Sequence, residues 1–523
     1  MIFIKNLFDK KKIIQSIIEF NKKLFLENEV TNNRIILTEF STNKSIQAGF
    51  ALFLKSLQKK TGCRIFSYNN DLNLISKKKN YYSSINKVFN HNYKIYTSFK
   101  VEKFIDVYFD EKIYIKSKKK SSRLIKKITS KRKLLELKLD GIWIGDLLYD
   151  TFLKQKSKST VNLHSEEFKD FFLDFIYLTY FWIEFFKKNK VYSVVTSHTV
   201  YTSAIPLRIA LKKKLNAYQV NFHNIYRLNN NKLFAYDIFN QYSKLFNGFK
   251  KNFKIKALKI AKDQCLKRFD GIKGVDMHYS TKSAYKKEYS KNILNQNTKK
   301  KILIAAHCFL DNPHPYGIRA IFDDFYEWID YLGKLSEKTD YDWYIKTHPD
   351  FKITTQDIIK NFVKKYPKIK LIPPNTSHHN LISNGIDCVL TVHGTIAWEY
   401  AFFKIPVISA SQSNPHIDFN FSYHAKNKKD LSNALANLKN LKLNFSKENI
   451  YKFYFMNNIY RQSNWMIETL ENNFKKFGGY RNTSKMIFYE FWLKYRTDKK
   501  NETTHKKITE FIDSKKFFLS REI

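Results

Sequence analysis

Apolar runs of four to six residues recur along the second half of the chain, each followed by a stretch with helical spacing. "ILIAA" (302–306), "DWYIK" (342–346), "IKLI" (369–372), "CVLTV" (388–392) and "PVIS" (406–409) predict strands. The intervening segments 318–338, 355–366, 378–384 and 395–403 predict helices. Continuous apolar strands alternating with helices specify βαβ units and a parallel, doubly wound sheet. The first half repeats this grammar: strands at "RIILTEF" (34–40), "CRIFSY" (63–68), "YSVVTSH" (192–198) and "NAYQVNFH" (216–223), with helices at 44–60 and 203–214. The polar stretch 285–301 reads as a connector. The expected architecture is α/β, with two Rossmann-like domains over 1–290 and 291–478 and a basic, aromatic helical tail over 479–523. In that tail Phe488, Phe491, Trp492 and Tyr495 share one helical face, which suits either an anionic membrane boundary or the protein's own core.

Composition adjusts this picture in three places. With 523 residues, 43% of them apolar, the chain can bury more than one core. Its net charge of +46 fits a lysine-rich surface or one that meets membrane phosphates, nucleotides or polyanions. No zinc-finger, RNP-like or recognition-helix signature points to nucleic acid. The basic stretch 116–133 reads as a solvated helix face or loop. Cys63, Cys265, Cys308 and Cys388 are scattered without a CxxC pair, which favours a reducing, cytoplasmic setting. The aromatic stretch 168–186 is interrupted by Asp170, Asp174 and Glu184 and reads as a buried helix rather than a span. The amino-terminal segment carries charges within its apolar run, unlike a secretory signal.

The chemistry gathers just after the strands. His307, Asp311 and His314 follow the first strand of the second half, and Lys346, Thr347, His348 and Pro349 follow the second. His393, Gly394, Thr395 and Glu399 follow "CVLTV", and Asn414, His416 and His424 follow "PVIS". Parallel sheets bind ligands beyond the carboxyl ends of their strands, so these groups are expected to line one crevice. There Lys346 and His348 would meet a phosphate, by charge and by an imidazole hydrogen bond or proton. Gly394 would admit the ligand to the backbone, Thr395 would cap the next helix, and Glu399 would accept hydrogen bonds from a ribose or base. The absence of GxGxxG and GK[ST] from the second half removes dehydrogenase and kinase readings. On the acceptor side, Asp146 and Asp150 share a helical face, while His198 and Glu39 end strands; each is a candidate base or substrate contact.

"KTHPD" (346–350), "VHGTIAWEYAFFKIPVI" (392–408) and "NPHIDFNF" (414–421) resemble the C-terminal half of GT-B glycosyltransferases of bacterial surface and capsular polysaccharide synthesis. "DGIWIGDLLYDTFLK" (140–154) and "VVTSHTVYTSAIPLRIAL" (194–211) resemble segments of the same proteins. In the Kdo- and sialic-acid-transferring relatives, an HP motif and a hydroxyl-bearing turn hold the donor phosphate. The resemblance puts His348, Pro349 and Thr395 in those places. It implies a metal-independent transferase without a cofactor, moving a sugar from a nucleotide-sugar donor to a saccharide or lipid-linked acceptor, in the cytoplasm or on the inner membrane face. The expected catalytic residues are His348, Asp146 and His198. The expected donor-binding residues are His307, Asp311, Lys346, Pro349, His393, Gly394, Thr395, Glu399 and Asn414. No counterpart of the acidic base of sialyl-type enzymes is evident. A phosphopolyol transferase using CDP-glycerol or CDP-ribitol shares the scaffold, and a non-catalytic membrane- or polyanion-binding protein is the alternative outside enzymology.

Overall fold

The computed structural model describes residues 2–70, 90–235, 237, 239–275, 280, 282–286, 293–350, 353–468 and 473–521. Of the expected connector, residues 287–292 lie outside the described residues. Two six-stranded sheets organise the chain. The first contains β1 (Ile35–Glu39), β2 (Arg64–Asn69), β3 (Val101–Asp106), β6 (Val191–Thr196), β7 (Asn216–Val220) and β8 (Ile225–Leu228), in the order β3-β2-β1-β6-β7-β8. A short hairpin, β4 (Lys138–Leu139) with β5 (Ile142–Trp143), interrupts the numbering. The second sheet contains β9 (Lys301–Ala305), β10 (Asp342–Lys346), β11 (Ile369–Ile372), β12 (Cys388–Thr391), β13 (Val407–Ser409) and β14 (Tyr423–His424), in the order β11-β10-β9-β12-β13-β14. Pairing within both sheets is parallel except between β7 and β8. In each sheet the first strand lies at the centre, the next two on one side and the last three on the other. That is the Rossmann order, and it reverses direction between β1 and β6 and again between β9 and β12. The chain has the expected α/β class: two Rossmann-like halves and a helical C-terminal region.

The strands form where they do because their apolar side chains are covered on both faces. Ile36 and Leu37 of β1, Trp343 and Ile345 of β10, and Val389 and Leu390 of β12 are all buried, and each such side chain contributes about 1.5–3 kcal/mol. The helix Lys44–Thr61 starts where Asn43 accepts the Ser45 N–H at 3.0 Å and ends at Gly62, whose φ of +61° suits glycine. The aromatic stretch expected as a buried helix is one, Glu166–Lys188, capped by Ser165, with Phe172, Phe175 and Trp182 inside. No described helix is long and apolar enough to cross a membrane. Several boundaries shift by two or three residues, and one by more: the helix expected from 318 begins at Phe325. Asp324 caps it through the Glu327 N–H, and the preceding residues are instead held by Arg132, which donates to the Ile318 and Ala320 carbonyls.

The C-terminal segment crosses back to the first half. Helices Met486–Tyr495 and Asp498–Asp513 pack with the Lys44–Thr61 helix in one apolar cluster. Phe488, Phe491 and Trp492 are buried there, and the Tyr489 hydroxyl bonds to Gln47. Arg227 of β8 donates to the carbonyls of Phe511, Ile512 and Ser514. The face expected to suit either a membrane or the core is therefore core, and a membrane role for these rings is excluded by their burial.

Trp492→Ala is expected to cost about 3–5 kcal/mol, as for large aromatic truncations in a packed core. Urea denaturation measures it; a loss below about 0.5 kcal/mol, the range of surface substitutions, would contradict the packing.

Candidate functional site

Because β9, β10 and β12 run parallel, their carboxyl ends open on one edge of the second sheet. The segments after them line a cleft of about 530 Å³, with Arg268, His307, Lys346, His348, His393 and Glu399 among its walls. The cleft lies at the switch point between β9 and β12 and takes groups from three of the four clusters expected to line it; His314 and the fourth cluster stand outside its walls, with His416 and His424 both bonded to Ser422.

Lys346 ends β10 with its side chain buried. Its ammonium donates to the Thr347 carbonyl at 3.3 Å, and no carboxylate among the described residues lies within ion-pair distance. Burial lowers its pKa to about 8, with Glu399 opposing. His348 is pushed down to about 4, first by burial and then by Lys346. Its Nδ1 accepts the Asp350 N–H at 3.2 Å, which leaves the ring proton on Nε2. The neutral ring is thus an N–H donor at neutral pH. In that form the ring offers the cleft an N–H hydrogen bond rather than a positive charge.

His307 is fixed in a similar way. Its Nε2 accepts the Val392 N–H at 3.1 Å and sits 3.0 Å from the Thr391 hydroxyl, so Nδ1 bears the proton. The ring stacks on Phe325 at 4.4 Å, and burial lowers its pKa to about 3. The same Thr391 oxygen accepts the Gly394 N–H at 3.1 Å. A Cβ on Gly394 would stand 2.8 Å from that hydroxyl, so glycine is required here by space. His393 faces His307 and Tyr316 at ring distances of 5.2 and 5.0 Å, and burial holds its pKa well down.

Other expectations need correction. Thr395 is exposed, has helical backbone angles and makes no side-chain cap, and the helix it precedes, Ile396–Phe402, has seven residues. Capping by Thr395 is therefore absent. Glu399 lines the cleft, but its carboxylate already accepts from Arg268 at 2.5 Å and from the Tyr285 hydroxyl at 2.7 Å. Asn414 is buried behind the cleft, where its amide donates to the Val392 and Ser411 carbonyls and supports the turn. Pro349 follows His348 and is not among the lining residues. Asp146 is buried in an ion pair with Arg208 at 2.6 Å, whose guanidinium also stacks over Trp143; it is not placed to take a proton from a substrate. Arg268, Tyr285 and His378 line or brace the cleft and were not singled out in the sequence. Arg268 sits in a lysine-rich helix, and nothing in its spacing distinguishes it.

The two halves meet beside this cleft. Asp150 Oδ1 is 2.6 Å from His314 Nδ1, and His314 Nε2 donates to the Asp323 carbonyl at 2.9 Å, so the ring bridges the two halves. Burial alone would lower the His314 pKa, but the Asp150 carboxylate holds it above the ordinary value. Asp150 is thus a structural partner rather than a base. Tyr149 donates to Asp324 at 2.5 Å and Lys131 to Glu327 at 2.7 Å. The Tyr201 hydroxyl donates to Asp311 at 2.5 Å, with Lys154 at 3.5 Å from the same oxygen. Tyr201 adopts φ +58°, a conformation that costs about 1–3 kcal/mol outside glycine. Asp311 therefore lies between the halves. On the facing edge of the first sheet, His198 follows β6 and stays open to solvent, while its pKa is lowered by the surrounding protein and by Lys154. Glu39 ends neighbouring β1, and its carboxylate accepts the Ser197 N–H at 2.7 Å and hydroxyl at 2.8 Å.

No family model matches the chain, and no curated protein matches it. Among solved structures it is similar to the beta Kdo 2,4 transferase KpsC of Thermosulfurimonas dismutans, with 12% identity and a TM-score of 0.30 over 52% of this chain and 85% of that one. It is also similar to the UDP-GlcNAc 2-epimerase of Neisseria meningitidis bound to UDP-GlcNAc, with 9% identity and a TM-score of 0.23 over 82% of this chain and 98% of that one. The UDP-GlcNAc 2-epimerase of Methanocaldococcus jannaschii, in complex with UDP-GlcNAc and UDP, gives 12% and 0.25 over 80% and 97%. Likenesses of this size say nothing about substrate or reaction, and the fold stands on the strand order itself.

The Asp150–His314 pair carries a pH signature. A histidine whose folded pKa is raised contributes stability that is complete below about 6.5 and is lost as pH rises through the folded value. The denaturation midpoint is expected to fall as pH rises above about 6.5, and Asp150→Asn should remove that part of the slope. An unchanged slope in the variant would contradict the pairing.

Proposed function

We propose that the protein is a GT-B-type glycosyltransferase that moves a sugar from a nucleotide-sugar donor to a growing surface polysaccharide or lipid-linked acceptor. The observation that carries this reading is Lys346: a buried ammonium with no carboxylate partner among the described residues, opening on a cleft at the switch point of a parallel sheet. A buried charge left uncompensated costs stability unless a ligand supplies the counter-charge. A donor phosphate does so, with the His348 Nε2–H as a further hydrogen-bond donor. Glu399, oriented by Arg268 and Tyr285, keeps lone pairs for nucleoside hydroxyls.

The acceptor enters from the first sheet. Its hydroxyl oxygen bonds to the anomeric carbon as the bond from that carbon to the phosphate oxygen breaks. The leaving phosphate keeps the electron pair, stabilised by Lys346 and by neutral N–H donors. His198, neutral at pH 7 because its pKa is lowered, takes the hydroxyl proton. Glu39 orders the His198 loop through Ser197.

Lys346→Met separates a ligand site from a structural one. Folding stability should stay level or rise, because a buried charge is removed. Affinity for the binding nucleotide should fall about 10- to 100-fold, the value of a charge-assisted hydrogen bond. A thermal-shift panel of CMP, UDP, GDP and CDP-glycerol identifies the nucleotide, since a ligand of the native state raises the melting temperature; preferential stabilisation by CDP-glycerol would favour phosphopolyol transfer. No shift with any of them, or equal affinity in the variant, would sink the proposal.

His198→Ala should lower turnover by about 10²- to 10⁴-fold, the range for a lost general base, with nucleotide affinity unchanged. In the parent protein, kcat/KM should rise with pH through a value below 6.5, as the ring loses its proton. Full turnover in the variant would remove His198 from the chemistry.

A further inference from the structure

The basic stretch 116–133 has no part in the cleft, and the structure gives it a form. Most of it lies on the helix Glu111–Ile125 and the turn that follows, with Ile113, Ser117 and Ser121 buried and the opposite face in water. That face carries Lys112, Lys119, Arg123 and Lys126 at helical spacing, flanked by Lys118 and Lys127. No carboxylate among the described residues lies within ion-pair distance of these six, whereas Lys116 and Lys120 reach Glu184 and Asp140. Beside the cations stand three exposed apolar side chains: Tyr108 at 55%, Phe109 at 50% and Ile115 at 60%.

The rings are held out by an ordered turn. Tyr177 donates to the Tyr108 carbonyl at 2.6 Å, and its oxygen accepts the Asp110 N–H at 2.7 Å. Asp110 in turn caps the helix through the Ile113 N–H at 3.0 Å. The turn leaves the carboxyl end of β3, the same edge of the first sheet from which Glu39 and His198 project.

We propose that this face docks the protein on an anionic phospholipid surface. Charge complementarity sets the partner's sign, and the apolar groups choose among anionic partners. A hydrated polyanion takes up the cations but leaves Ile115 in water, whereas a headgroup boundary takes cations, rings and aliphatic chain together. Docking this way sets the acceptor edge of the cleft beside the bilayer. That last consequence rests on the transferase reading; the docking itself does not.

The test uses the full chain and co-sedimentation with phosphatidylcholine vesicles, with and without phosphatidylglycerol. Binding is expected only with the anionic lipid and should weaken as salt rises. Reversal of four charges (Lys112→Glu, Lys119→Glu, Arg123→Glu, Lys126→Glu) should lower partitioning at least about tenfold. The pair Tyr108→Ser and Phe109→Ser should lower it at unchanged charge. Circular dichroism confirms folding, and nucleotide thermal shifts in the same preparations should match the parent, which separates failure of docking from failure of the transferase reading. A matched reversal on the helix Lys251–Phe269 (Lys251→Glu, Lys256→Glu, Lys259→Glu, Lys262→Glu) should leave vesicle binding intact. The proposal is overturned by absence of binding to anionic vesicles at low salt, by equal loss in the matched reversal, or by tight binding of soluble polyphosphate without vesicle binding.

Discussion

Strands paired in parallel end on a common edge, and the rest of the molecule is arranged around that constraint. In the second half it delivers His307, Lys346 and His393 to one cleft, although they are far apart in the chain. In the first half it brings Glu39 and the Ser197–His198 turn side by side. The two edges are then joined by polar contacts, Asp150 with His314, Tyr149 with Asp324 and Tyr201 with Asp311. Behind them one apolar cluster runs through both halves, with Phe239 against Tyr316, Phe246 against Phe455 and Phe269 against Trp398 and Phe402.

Within the cleft the electrostatics are asymmetric. Arg268 is answered by Glu399, and Arg481 approaches Asp350 at 3.4 Å. Among the described residues no carboxylate comes within ion-pair distance of Lys346, and Glu399 acts on it only from farther away. The imidazoles around it are neutral because burial lowers their pKa values, so they add N–H donors without adding charge. A site with a buried cation unpaired among the described residues and several fixed donors is preorganised for an anion whose charge grows during reaction.

Much of this was legible in the sequence, for a physical reason. Strands buried on both faces leave uninterrupted apolar runs, so β9, β10, β11 and β12 were placed to within a residue, and the polar groups after them marked the edge. Side chains whose meaning depends on distant partners were not legible. Asp146 looks like a base until Arg208, 62 residues later, is seen beside it. Asp150 meets His314 across 164 residues. β3 has only a few buried positions in "VEKFID", and β8 pairs antiparallel, so neither announces itself by a continuous run. The aromatic face of the tail was ambiguous because the same spacing serves a core and a membrane boundary; only the Lys44–Thr61 helix packed against it decides between them.

Everything proposed for the cleft turns on whether the space beside Lys346 holds the phosphate of a nucleotide. A crystal structure of the protein grown or soaked with the nucleotide that most raises its melting temperature tests this directly. A phosphate oxygen is expected within hydrogen-bond distance of Lys346 Nζ, with the His348 Nε2–H directed at the same group. A nucleotide seated elsewhere, or one in this cleft with its phosphate turned away from Lys346, would contradict it.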